Sequence, residues 1–285
     1  MPIRSFADLS DFLRDLKQEI DRDRVLAVAA GVTFYALLAI VPAITALISI
    51  FGLILSPAEV PGLLGPLTGL MPDEAAALIT DQATRIAGKA GGALSLTALA
   101  ALAVALWSAN GGTKALIEAL DIAYDVRETR GFARLNLVAL GFTLGAIMLA
   151  VLLGILVAAL PFLVDRLGPL GEDLVLTLRW PAILALLLAV LAAIYTWGPD
   201  RPGVSWVWIT PGAVVAALGL VAASMGLGYY VRNFGSYDET YGSLAAVVVL
   251  MLWIWLSTVM VLLGAEINAE LDRRTVPRRG LAPAV

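Results

Sequence analysis

The stretch YGSLAAVVVLMLWIWLSTVMVLLGAEINAELDRR, Tyr241 to Arg274, decides the fold. From Leu244 to Leu263 it carries no charge and is apolar on every side of a helix. No soluble helix needs that pattern, and crossing a bilayer takes roughly 20 such residues. Within a few residues the character changes to Glu266, Asn268, Glu270, Asp272, Arg273 and Arg274, the polar exit of a transmembrane helix. Trp253 and Trp255 fall in mid-span, where an indole N–H finds no water, so at least one of them has to face protein or a cavity.

The rest of the composition agrees with this helix. Of 285 residues, 60% are hydrophobic and 15% charged, which places the chain outside the range of soluble domains. The expected fold is all-α: a polytopic integral membrane protein with six transmembrane helices plus amphipathic interfacial helices. Residues 25–265 form one membrane domain, between an N-terminal amphipathic helix (1–24) and a cytoplasmic tail (266–285). Cysteine and histidine are both absent, which removes disulfides, thiolate chemistry and most zinc, haem and imidazole chemistry. The expectation is therefore no catalytic set, no metal site and no cofactor. The net charge is −4 and no basic tract is present, so no nucleic-acid partner is expected.

Along the chain, Phe6, Leu9, Leu13, Leu16 and Ile20 recur at helical spacing in a charge-balanced segment, an amphipathic helix that packs on the protein or lies at the interface rather than a cleavable signal peptide. The first span is Val25 to Leu55, with a kink expected at Pro42. After a Pro/Gly-rich loop, Asp73 to Ala87 is a second amphipathic helix. The second span, Ala90 to Trp107, ends at Ser108-Ala-Asn-Gly-Gly112, where a break is expected before a helix from Thr113 to Tyr124. The third span is Asn136 to Val164, with Gly141 and Gly145 spaced for close approach of a neighbour. The fourth is Trp180 to Trp197, with a tryptophan at each membrane interface. The fifth, Trp206 to Tyr230, contains Pro211-Gly212, and the Tyr241 stretch is the sixth. Putting both termini inside assigns fourteen of the nineteen Lys and Arg to the cytoplasmic side, as the positive-inside rule favours.

No Asp, Glu, Lys or Arg lies within the six apolar cores, which argues against a carboxylate-based proton pump and suits an amphipathic cargo or no transport. Candidate polar sites lie at the span edges. Asn110 and Lys114 flank the glycine pair, where a new helix N-terminus would hold a phosphate or carboxylate; alternatively Asn110 or Thr113 caps the helix and Lys114 pairs with Glu118. Tyr237, Asp238 and Tyr241 form an outer gate or an aromatic belt. Glu266 and Glu270 share one helix face with Asn268 pointing elsewhere, either a binding edge or a solvated exit. Tyr35 and Trp253 complete the candidate cavity. Pro42, Gly111, Gly112, Pro211 and Gly212 are candidate hinges.

AAGVTFYALLAIVP (Ala29 to Pro42), WSANGG (Trp107 to Gly112) and the final span from Tyr241-Gly242 through Trp253 to GAEINA (Gly264 to Ala269) resemble the YihY/BrkB family of bacterial inner-membrane proteins, in the same order over nearly the whole chain. The resemblance implies a six-helix inner-membrane protein. Family members have carried the label ribonuclease BN, the name BrkB comes from a serum-resistance factor, and lipid transport has been suggested for relatives. Without a metal-binding histidine set, the ribonuclease label is not carried over. The reading is an inner-membrane transporter or flippase-like protein for an amphipathic, lipid or anionic molecule. Its partners would be membrane lipids and a second copy of the chain; the alternative is a non-transporting envelope scaffold, with a ribonuclease last.

Overall fold

A computed structural model describes residues 6–51, 71–89, 96–167, 169–201, 203–204, 206–234 and 244–275. Among the described residues the chain is all-helical, with α1 (Phe6–Arg22), α2 (Val25–Phe51), α3 (Asp73–Lys89), α4 (Leu96–Ala123), α5 (Phe132–Leu167), α6 (Pro169–Trp197), α7 (Pro211–Phe234) and α8 (Ala245–Thr275). Among the described residues, four helices are long and apolar enough to cross a membrane: Val25–Leu47, Phe132–Ala150, Pro211–Asn233 and Ala245–Arg274. Pro181–Trp197 is a shorter apolar helix.

The opening stretch is the hub. Helix α8 packs along α7 and α2 and also touches α1, α3 and α4, while α2 lies along α4. The largest buried cluster joins Val25, Ala29 and Val32 of α2, Ala119 and Leu120 of α4, Leu191 and Tyr195 of α6, Ala213, Ala216 and Ala217 of α7, and Leu262, Ala265 and Ala269 of α8. So many alanines at one junction let helix backbones approach closely, the source of packing energy where no water is being displaced. Large side chains instead face outward, among them Leu38, Val104, Leu137, Met148, Leu218 and Met225, as lipid contact requires.

Helix α1 resolves the choice left open by its stripe. Phe12 and Leu16 are buried against Ile267, with Ile20, Leu263 and Leu271 around them, so the helix packs on the protein.

Three sequence expectations are corrected. The chain does not break at Gly111-Gly112: α4 runs unbroken from Leu96 to Ala123. Glycine costs about 1 kcal/mol in a helix, but a Cβ on Gly112 would stand 3.2 Å from both Ala36 Cα and Ala39 Cβ, so its bareness lets α2 lie against α4. Close packing outweighs helix propensity here, and both glycines lie within a continuous helix.

Pro211 and Gly212 likewise do not interrupt a helix; they are the first two residues of α7, where the span begins, and Trp206 to Thr210 are non-helical. Thr210 is the N-cap. Its Oγ1 accepts from Ala213 N at 3.1 Å, and proline follows at the position where a missing N–H costs nothing. Finally, Gly141 and Gly145 receive no neighbour, since a Cβ on either would meet nothing within 4 Å. Pro42, by contrast, does sit inside α2.

Candidate functional site

The absent neighbour at Gly141 and Gly145 leaves a cleft between α4, α5 and α6 with a volume of about 750 Å³. Thr113, Leu116, Ile117 and Leu120 form one wall, Val138 to Leu153 of α5 the second, and Leu186 to Trp197 of α6 the third. Nearly all of it is hydrocarbon. Thr113 of its wall begins a polar ladder between α4 and α5 that runs outside the cleft lining: Thr113 and Thr143 hydroxyls 2.9 Å apart, and Asn136 Oδ1 accepting from both Asn110 Nδ2 and Lys114 Nζ at 3.2 Å. Lys114 Nζ also lies 5.8 Å from the Trp107 ring. Asn136 in turn donates to Phe132 O at 2.7 Å, while the buried Asn110 Oδ1 has no partner. Lys114 follows the cleft-lining Thr113 in sequence but does not itself line the cleft; it is half-buried, with its partner an amide on α5.

A second polar region forms where α1 packs on the polar end of α8. Asn268 of α8 is buried and accepts from Gly212 N at 2.9 Å, capping α7, and it donates to Thr210 Oγ1 at 3.0 Å and Tyr124 OH at 3.4 Å. The approach is tight: a Cβ on Gly212 would collide with Gly264 O and with Asn268 itself. Tyr195 OH donates to Val261 O at 2.7 Å, closing the same junction from α6.

Around this core the loops are tied by charge. Asp200 N donates to Asp121 Oδ1 at 2.8 Å, and Asp200 accepts from Thr129 N at 2.9 Å and from the Thr129 hydroxyl. The Thr129 bonds hold the Asp200 carboxyl below its usual range, whereas burial pushes Asp121 up to about 6. Arg130 grips Glu128 through two nitrogens and also reaches Gly198 O at 2.8 Å. Arg201 lies 3.7 Å over the Tyr124 ring, donates to Tyr195 O at 2.7 Å and pairs with Asp272 at 3.1 Å.

Of the residues singled out in the sequence, Asn110 and Lys114 meet at Asn136 on the α4–α5 seam, and Asn268 and Glu270 are buried in the part of α8 on which α1 packs. Glu270 is paired with Arg273 at 3.1 Å and Arg274 at 2.5 Å, so the two glutamates of that face part company: Glu266 is 0% exposed and neither of its carboxylate oxygens has a hydrogen-bond partner. Both mid-span indoles bond to protein, Trp253 Nε1 to Ser224 Oγ at 2.9 Å and Trp255 Nε1 to Leu26 O at 3.0 Å. Tyr35 lies on the exposed side of α2, edge-on to Phe34, and does not line the cleft. Tyr237, Asp238 and Tyr241 lie outside the described residues. Asn136, Thr143 and Thr210 were missed, although an amide and a hydroxyl two turns apart in an apolar span mark a polar seam.

Bundled apolar helices with lipid-facing hydrocarbon and polar ends define a polytopic helical membrane protein. The chain belongs to the family described as Virulence factor BrkB, whose match covers residues 16–285. It is 31% identical over 276 residues to "Putative ribonuclease-like protein YfkH" of Bacillus subtilis (strain 168), covering 92% of this chain and 96% of that one. It is 32% identical to UPF0761 membrane protein azo3165 of Azoarcus sp. (strain BH72) and 30% identical to UPF0761 membrane protein Mpe_A1422 of Methylibium petroleiphilum. These matches cover 96% and 91% of this chain but only 66% and 62% of those longer relatives. No solved structure matches.

Proposed function

We propose that the protein binds an amphipathic molecule and carries it across the bacterial inner membrane, with the apolar part of the cargo in the α4–α5–α6 cleft. The cleft itself carries this reading: about 750 Å³ of almost purely apolar space is within the size range of ligand sites and suits a hydrocarbon chain. Lys114, next in sequence to Thr113 of the cleft wall, favours an anionic head group. The reading includes six crossings with both termini cytoplasmic. Supporting it, the groups expected inside meet at one end through Arg201–Asp272, Arg130–Asp200 and Arg22–Asp125, and the two expected outside meet through Arg232–Asp73 at 2.5 Å. It is a non-enzymatic reading, in keeping with a sequence that lacks both Cys and His. No nucleic acid takes part, and a second copy of the chain remains a proposed partner.

The test is reconstitution in liposomes with fluorescent anionic and zwitterionic phospholipids, together with mass spectrometry of lipid retained on the purified protein. Retained lipid and transbilayer movement are expected, both reduced by Gly141→Leu/Gly145→Leu, which fills the cleft. Lys114→Gln should lower the preference for anionic lipid. A wild-type protein that retains no lipid and moves none faster than empty liposomes overturns the reading.

A further inference from the structure

The run from Trp206 to Ile209 reads in sequence as the start of a transmembrane helix, yet it is non-helical. With Val204 it belongs to the connection between α6 and α7. Trp208 is 67% and Ile209 61% exposed, Val204 and Val207 are exposed as well, and Trp197 at the end of α6 is 57% exposed. Trp197 stacks on Trp206 with ring centroids 4.8 Å apart, and Trp208 stands edge-on to Trp206 at 5.2 Å. The Trp206 Nε1 has no hydrogen-bond partner, so ring contact ties this indole to its neighbours. Three clustered indoles and three exposed aliphatic side chains thus come from one short connection.

Two requirements fix its surroundings. Large apolar side chains this exposed are unfavourable in water. Hydrocarbon is excluded for the opposite reason. Among the described residues no backbone–backbone hydrogen bond involves Val204 or Trp206 to Ile209, and bare peptide groups are not tolerated in the bilayer core. The layer that meets both requirements is the boundary between head groups and acyl chains, where water reaches the main chain and hydrocarbon the side chains. Indoles are enriched at that level. The connection is also held at both ends. Asp200 and Arg201 are bonded to Asp121, Thr129, Tyr195 and Asp272, and Thr210 caps α7. Its polar start is therefore turned into the bundle, and its apolar part continues into the exposed side of α7 at Val214, Val215 and Leu218.

We propose that Trp197, Trp206, Trp208 and Ile209 form a lipid-binding surface that lies at head-group depth and fastens the α6–α7 connection to the membrane. Its partner is phospholipid, with the ester region against the indoles and the upper acyl chains against the aliphatic side chains. Continuity with the lipid-facing side of α7 selects lipid over a second protein. Trp197 is also part of the cleft wall, so the surface borders the cleft, but it needs no cargo and stands whether or not lipid is carried.

The test places single cysteines at Ile209, Val207, Leu218 and Arg14 of the full chain, which has none of its own, in phospholipid nanodiscs. Each carries a nitroxide whose exposure to oxygen and to a water-soluble nickel chelate is read by electron paramagnetic resonance. Ile209→Cys and Val207→Cys should be open to oxygen and nearly closed to the chelate. Their depth should be shallower than that of Leu218→Cys by up to about 10 Å, the rise of α7 from Pro211 to Leu218. Arg14→Cys should be open to the chelate. Adding Trp206→Ser/Trp208→Ser to Ile209→Cys should abolish its preference for oxygen; if that variant fails to fold, the two single-cysteine readings decide. Chelate exposure equal to that of Arg14→Cys puts the connection in water and overturns the proposal. Depth equal to Leu218→Cys overturns it too, as does shielding from both probes, which would mean that protein covers the surface.

Discussion

Asp121 shows how one side chain sets a pH response. It lies past the apolar part of α4, is 4% exposed, and uses one oxygen to hold Asp200 N while Oδ2 has no partner. Burial raises it from 3.8 to about 6, so between those values the folded state binds more proton than the unfolded chain. Stability from this group is therefore highest at acid pH, falls as pH rises from about 4 to 6, and is level above. Asp121→Asn keeps an acceptor for Asp200 N and removes the charge. It should raise Tm at pH 7.5 by an amount corresponding to at most about 3 kcal/mol, at 1.36 kcal/mol per unit, with little gain at pH 4.5. Equal shifts at both pH values would show that the buried charge is not the cause. None of this was legible in the sequence, because Asp121 meets Asp200 only when the α4 end and the α6–α7 loop fold together.

At the scale of elements, the two glycines of α4 make the sharpest contrast. Gly111 faces open space and Gly112 faces α2. Gly111→Ala should stabilise by up to about 1 kcal/mol through helix propensity. Gly112→Val should destabilise by about 1–3 kcal/mol through overpacking. Thermal unfolding of both variants in detergent checks the pair, and similar melting would mean that α2 and α4 do not touch there. The same pair explains why α4 was misread. A glycine doublet reads as a break until a neighbouring backbone is brought against it, and nothing local to Trp107–Lys114 reveals that neighbour. By contrast, Thr210-Pro211 carried a legible start signal, hydroxyl cap then proline, which long apolar flanks concealed.

For the whole molecule, hydrophobic run lengths made the all-helical membrane architecture legible, since each helix must satisfy its own backbone in lipid. The charged knot of Glu19, Arg22, Asp125 and Arg273 was not legible, because its acids and arginines come from α1, α4 and α8. Sidedness can be checked directly, because the chain has no native cysteine to label. Single cysteines at Arg14 and Arg85 should react oppositely toward an impermeant maleimide in intact cells, Arg85→Cys labelling at once and Arg14→Cys only after permeabilisation. Labelling of both in intact cells would refute the arrangement with both termini inside. The knot also has a temporal side. Asp15 and Glu19 of the first helix wait for Arg274 and Arg273 of the last. With roughly 250 residues between them and synthesis at about 5–20 residues per second, α1 spends on the order of 10–50 s without its final partners. A ribosome that stops before α8 therefore releases a chain whose first helix has no dock, a ready mark of incompleteness for membrane quality control.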